Sequence, residues 1–180
     1  WKDGTVFTLR KKSDINQLNL HYSIRNNWAL GLHAISFDQK KYLMLQTHHL
    51  LKRVNTDDSQ ANFYLFSGLG VNNEDFNERI FHLASQADWE TRKVYTQVEA
   101  HSFFADKKYF LLSGRLGFAP YLTDYDKLHT WIILEFNHMI FEDEKKSSLI
   151  PLLRFFLDNY LFEFGTNFSN TYLLTLMLHF

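Results

Sequence analysis

Apolar and polar residues exchange places at every second position through most of this chain. Leu18, Leu20, Tyr22 and Ile24 alternate with Asn19, His21 and Ser23, and Trp28, Leu30, Leu32 and Ala34 alternate with Gly31 and His33. Successive side chains of a β-strand point to opposite faces, so a period of two gives each strand one apolar and one polar face. A helix would instead need apolar residues three and four apart. Between the two runs stand Asn26 and Asn27. Asparagine tolerates positive φ, and the pair predicts a two-residue hairpin turn.

The pattern returns along the chain. Strands are predicted at 41–52 and 61–71, separated by the polar loop RVNTDDSQ, with another break at Asp38–Lys40. Val94, Thr96, Val98 and Ala100 alternate with Tyr95, Gln97, Glu99 and His101. After the turn ADKK, Leu112, Gly114, Leu116 and Phe118 alternate with Ser113, Arg115 and Gly117. Beyond the loop YLTDYDK, Thr130, Ile132, Leu134 and Phe136 alternate with Trp131, Glu135 and Asn137. EDEKKSS at 142–148 reads as a charged loop; strands around Arg154 and Glu163 follow. The chain closes on Asn170 to Phe180, where Tyr172, Leu174, Leu176, Leu178 and Phe180 share one face. ERIFHLASQADWETRK, residues 78–93, fits a short helix, a strand or the start of one long strand. The sum is about ten antiparallel strands of roughly 9–14 residues each. A strand at 5–10 and a split within 79–104 would raise the count to twelve, and a conservative reading lowers it to eight. No repeat or domain boundary interrupts residues 1–180, so one all-β closed antiparallel barrel is expected.

Which face meets water is decided by where the charges fall. Lys11, Lys12, Lys40, Lys41, Lys52, Lys107, Lys108, Lys127, Lys145 and Lys146 lie at predicted turns or strand ends. Predicted strand middles carry Gln97, Glu99, His101, Arg115, Glu135, Arg154 and Glu163 instead, groups able to pair with one another in a narrow polar lumen. A soluble barrel would place lysines on its outer face; a transmembrane barrel turns the apolar face to lipid. Tilted strands of about 9–11 residues also suffice to cross the hydrocarbon layer. Aromatics make up 17% of the chain, and Trp28, Tyr42, Tyr109, Phe118, Trp131, Tyr160 and Tyr172 near strand ends are expected to form interfacial girdles. A formal net charge of -1 and no basic patch give no pull toward nucleic acid. With no cysteine, disulfides and thiolate metal sites are excluded.

The segment YLLTLMLHF resembles the C-terminal signature of Gram-negative outer-membrane β-barrels, a terminal Phe preceded by hydrophobic residues at alternate positions. The resemblance implies an outer-membrane location, a bilayer containing lipopolysaccharide around the barrel, and an assembly machinery that reads the last strand. ADWETRKVYTQVE, GFAPYLTDYDKLHTWIILEF and PLLRFF…NYLFEFG also look like a family of small proteobacterial outer-membrane proteins, some encoded near copper or heavy-metal tolerance genes. That likeness implies a metal-linked role without assigning ligands.

Parity assigns His21, His33, His101 and His179 to the lumen, and His48 as well, together with Glu99. Imidazole suits copper, zinc and nickel, so His21, His33, His48, His101 and Glu99 are the candidate ligands for copper or another transition metal. The alternative is that the histidines fill a polar core through hydrogen bonds. Arg115, Glu135, Arg154 and Glu163 are candidate lumen charges, serving either as an ion-pair plug or as the lining of a narrow solute path. Asp88, Glu90 and Arg92 alternate on one side, and a lipid-facing acidic row would be costly, so they are expected at a rim or after a β-bulge. His21 and Ser23 share a strand face, as the base and hydroxyl of a lipid-modifying barrel enzyme would, but no carboxylate is evidently aimed at them. No phosphate-binding, dinucleotide or nucleophile-elbow motif occurs.

Overall fold

The computed structural model describes residues 2–13, 15–37, 39–124, 126–167 and 171–180. Asp38 of the predicted break, Tyr125 of the YLTDYDK loop and Asn170 at the start of the final run lie outside the described residues.

Among the described residues twelve strands form: β1 (Thr5–Lys12), β2 (Ile15–Arg25), β3 (Trp28–Phe37), β4 (Lys40–Asn55), β5 (Ser59–Asn72), β6 (Arg79–Thr91), β7 (Val94–Phe104), β8 (Lys108–Phe118), β9 (His129–Phe141), β10 (Glu144–Leu157), β11 (Tyr160–Thr166) and β12 (Tyr172–His179). Each is antiparallel to its sequence neighbours, and β12 pairs with β1, with Val6 opposite His179 and Lys12 opposite Leu173, so the sheet closes on itself. Closure leaves no strand edge with unpaired backbone groups, the condition for a sheet to cross a lipid layer.

The count of twelve exceeds the expected ten because β1 is a full strand and because Arg92 and Lys93 split the long 79–104 run into β6 and β7. The charged stretch EDEKKSS is not a loop: β10 already starts at Glu144, and its first residues pair with the end of β9. The Asn26–Asn27 turn forms, but neither residue has positive φ. Among the described residues the left-handed turn positions without glycine are Asp3, Ser13, Gln39, Glu142 and Asp158, while a register shift between Ser23 and Arg25 adjusts the β2–β3 hairpin.

The predicted faces hold through the strand middles. Leu18, Leu20, Leu32, Leu45, Leu69, Leu116, Leu134 and Phe164 are exposed on the outer wall, and Glu135, Ile150 and Leu173 on the inner wall have 0% exposure. Three aromatics expected in the girdle are corrected: Tyr42, Tyr109 and Trp131 point inward. Tyr42 and Tyr109 join Ile15, Ile35, Phe37, Met44, Ile80, Phe103 and Leu111 in an apolar cluster. These residues come from strand ends opposite the chain termini and form a lid across that end of the barrel. Trp131 packs on a second cluster of Tyr95, Ile133, Ile150, Leu152 and Leu173. Eight-stranded barrels are just filled by side chains and sixteen-stranded ones leave a channel. A twelve-stranded interior lies between, and here large inward residues (Arg, His, Tyr, Phe, Met) occupy it.

Candidate functional site

Parity alone brings the inward polar residues to one place. Glu99, Glu135 and Glu163 sit on β7, β9 and β11, and the cations that meet them come from β1, β8 and β10. Glu135 accepts from Arg10 Nη2 at 3.1 Å, Lys12 Nζ at 3.1 Å, Arg115 Nε at 2.7 Å and Asn137 Nδ2 at 2.9 Å. Arg115 reaches on to Glu163, Nη1 to Oε1 at 3.1 Å, and Arg154 Nε donates to the same oxygen at 2.8 Å. Arg10 Nη1 lies 3.6 Å from Glu99, which also accepts from Gln97 at 2.9 Å and from Ser113 at 3.4 Å. Arg154 stacks its guanidinium 4.4 Å from the centre of the Tyr95 ring. Ions taken out of water cost several kcal/mol each unless their remaining hydrogen-bonding positions are filled. Glu135 meets that condition with three cations and an amide.

All four predicted lumen charges therefore fall in one network. Arg10 and Lys12 belong to it too and were not expected there. Lys12, expected at a turn or strand end, instead turns inward and donates to both Glu135 and Asn137. Lys11 between them is exposed on the outer wall, so RKK at 10–12 breaks the apolar half of the alternation and hides the inward pair.

The other half of the lumen holds imidazoles. His21 and His48 meet across β3 with ring centroids 4.5 Å apart. They can do so because Gly31 lies between their strands: a Cβ there would collide with the Leu20 carbonyl oxygen and lie 2.6 Å from His21 Cα. His48 Nε2 lies 3.0 Å from Gln46 Oε1, Gln46 Nε2 donates to His82 Nδ1 at 2.8 Å, and His82 Nε2 lies 3.2 Å from His101 Nδ1. His101 Nε2 in turn is 3.5 Å from Glu99, which joins the two halves. His33 packs edge-on against His82 at 5.7 Å, and neither of its ring nitrogens has a hydrogen-bond partner.

His82 is the member that sequence reasoning missed. It lies in the ambiguous 78–93 stretch, where Ile80, Phe81 and Leu83 make both faces apolar and erase the contrast that parity depends on. All five predicted ligands reach the lumen, but as pairs and a chain of hydrogen bonds; among the described residues no three His, Asp or Glu side chains converge as a metal site. His21 Nδ1 also lacks a hydrogen-bond partner, so no carboxylate meets the imidazole at that nitrogen among the described residues.

The rim candidates divide. Asp88 and Glu90 alternate with exposed Ala87 and Trp89 and face inward, needing no bulge. Asp88 accepts from Asn62 at 2.7 Å and Gln86 at 2.9 Å, and Asn62 accepts from Arg53 at 2.7 Å. The one bulge in this region lies in β4, between Leu50 and Lys52, and it is what turns Arg53 inward. Arg92 sits in the β6–β7 turn and donates to the Thr123 carbonyl at 3.2 Å. At the opposite rim Glu78, in the β5–β6 loop, accepts from Lys40 at 2.7 Å, Tyr42 at 2.6 Å and Asn72 at 2.8 Å. The Lys40 and Tyr42 donors hold its carboxyl down at about 2.

No family model and no curated protein sequence matches the chain. Solved structures do. The chain resembles the KdgM porin with a TM-score of 0.57 at 10% identity, covering 98% of each chain. The KdgM porin in complex with disordered oligogalacturonate gives 0.55 at 10% identity with the same coverage. A membrane protein crystallised in meso gives 0.52 at 12% identity, over 98% of this chain and 83% of that one. At these identities the likeness establishes the fold alone, a closed antiparallel barrel. An apolar outer wall around a charged interior is the arrangement of a barrel that spans the outer membrane.

Proposed function

We propose that this chain is a small outer-membrane barrel that passes small polar solutes along its charged lumen. The observation that carries the reading is the Arg10–Arg115–Arg154 row facing Glu99, Glu135 and Glu163 inside a lipid-clad barrel. Paired charges of both signs offer a solute hydrogen bonds at little net field. The neighbour KdgM is described with an acidic sugar oligomer. Here each of the three arginines already meets an internal carboxylate, which favours small neutral or zwitterionic solutes over polyanions. In the membrane the outer wall would contact lipid and lipopolysaccharide, and β12 would be the strand read by the assembly machinery. Copper and other transition metals play no part in this proposal, and the histidines serve as a hydrogen-bonded filling of the narrow half-lumen.

The test is reconstitution into planar bilayers and into liposomes for swelling assays. Small, weakly charge-selective conductance steps and swelling in small sugars or amino acids are expected. Silent bilayers and unswollen liposomes, with folded protein inserted, would overturn solute passage. That outcome would leave a second reading, a non-conducting barrel plugged by its own side chains. The 0% exposure of Glu135, Ile150 and Leu173 favours it.

A further inference from the structure

The outer wall carries a feature that neither solute passage nor the lumen uses. Between β6 and β10 it is dented by a shallow depression of about 500 Å³, lined by Ala87, Trp89, Val98, Leu134 and Phe136 around Gly114. Gly114 faces outward between Val98 and Phe136, its partners on β7 and β9, and a Cβ built on it would meet nothing within 4 Å. The glycine is thus not demanded by packing, and its effect is to leave the wall hollow.

Six residues along β8 from Gly114, at the end opposite the termini, stands Lys108, exposed on the same face. Six residues at about 3.3 Å each, tilted about 40°, rise roughly 15 Å, half of a hydrocarbon layer of about 30 Å. Gly114 then lies near the bilayer midplane when Lys108 is at the interface. Arg79 opens β6 on the far side of β7 and is also exposed. Two strand spacings separate β6 from β8, roughly 10 Å. Neither cation takes part in an ion pair among the described residues, whereas Lys107 in the adjoining turn lies 3.4 Å from Glu142.

We propose that this sector of the wall is a seat for one membrane lipid with an anionic phosphate headgroup. An acyl chain lies down β7 and β8 into the hollow over Gly114, and the phosphate sits between Lys108 and Arg79. The depression supplies the shape, the cations supply the charge, and their separation matches the length of a chain that ends at the midplane. The seat depends on bilayer insertion but not on conduction, so a silent pore leaves it standing.

Native mass spectrometry of the detergent-purified barrel, titrated with phosphatidylglycerol and with chain-matched phosphatidylcholine, tests it. The folded state is checked by the band shift on heating. The wild type should retain phosphatidylglycerol over phosphatidylcholine by about tenfold or more, since each interfacial cation favours anionic lipid. K108Q/R79Q should abolish the preference. G114L, which has room for its side chain, should lower retention of both lipids while keeping the preference. K11Q/K41Q, which removes outward cations elsewhere on the same rim, should change nothing. Equal retention of the two lipids by wild type, a preference that survives K108Q/R79Q, unaltered retention by G114L, or an equal loss in K11Q/K41Q would each overturn the seat. A chain that stays soluble without detergent and binds neither lipid would instead overturn the membrane placement itself.

Discussion

Arg115 and Glu135 are direct cross-strand partners on β8 and β9, and Arg115 Nη2 lies 2.6 Å from Glu135 Oε2. Both side chains are almost fully removed from water, with exposures of 7% and 0%. Removing the carboxylate takes a partner from three cations at once, because Arg10 and Lys12 converge on it too; Arg115 keeps Glu163 and Arg10 keeps Glu99, but Lys12 is left with no carboxylate among the described residues. Glu135→Ala is therefore expected to cost about 3–5 kcal/mol, the range for breaking a buried pair. R115M/E135L, which removes both charges, should cost less than either Glu135→Ala or Arg115→Ala. Urea unfolding in lipid vesicles measures the difference; a double mutant no better than the singles would contradict the pairing.

Phe103 is the centre of the lid. It stacks on His82 at 4.2 Å and packs against Phe37 and Tyr109 at 5.8 Å each. Phe103→Ala should leave a cavity and cost about 3–5 kcal/mol. The same vacancy should raise single-channel conductance severalfold if the lid limits passage. Unchanged conductance in a folded variant would place the constriction elsewhere, in the ion-pair network.

His33 and His82 are neighbours with opposite expectations. His33 is buried with both ring nitrogens unpartnered, so it bears the cost of buried polar atoms without the hydrogen bonds. His33→Leu should be neutral or stabilising by about 1 kcal/mol. His82→Leu should destabilise by about 1–3 kcal/mol, since Gln46 and His101 lose their partner. Thermal midpoints of the two variants, compared by circular dichroism, separate the cases.

Glu78 ties the β5–β6 loop to Lys40, Tyr42 and Asn72 at the rim, outside the lipid layer. Its carboxyl lies at about 2, below its ordinary value of 4.5, because those donors favour the charged form, Lys40 first. A depressed carboxyl contributes stability that is complete above about pH 4.5 and is lost as pH falls through about 2. The protection factors of residues 73–78, exchange corrected for its intrinsic pH dependence, should fall across that window in the wild type. In Glu78→Gln they should already be low at pH 7 and change little with pH.

The alternation specified the inner and outer faces of β2, β3, β7, β8, β9 and β12 correctly. It did so because lipid and lumen impose opposite polarity on successive residues. It failed where one face lost its contrast. Ile80–Leu83 is apolar on both sides, since the inward residues there belong to the lid, and His82 went unnoticed. Arg10 and Lys12 were obscured by outward Lys11 at the strand end, where the wall leaves the hydrocarbon and tolerates charge. Proximity to strand ends predicts a girdle position for Tyr42 and Tyr109, whereas the parity of their strands points both inward. Asp88 and Glu90 needed only the correct parity of β6, which no feature of ADWETR supplies by itself.

The sequence by itself determined a closed, inside-polar antiparallel barrel and the identity of most residues lining it. Period two is a local property, written into each strand by its two solvents. The meeting of Arg10 with Glu135, 125 positions away, was decided only by the tertiary structure, as was the chain of contacts from His48 through His82 to Glu99. Those contacts depend on strand number, register and closure. These are set jointly by all twelve strands, and no single stretch of sequence encodes them.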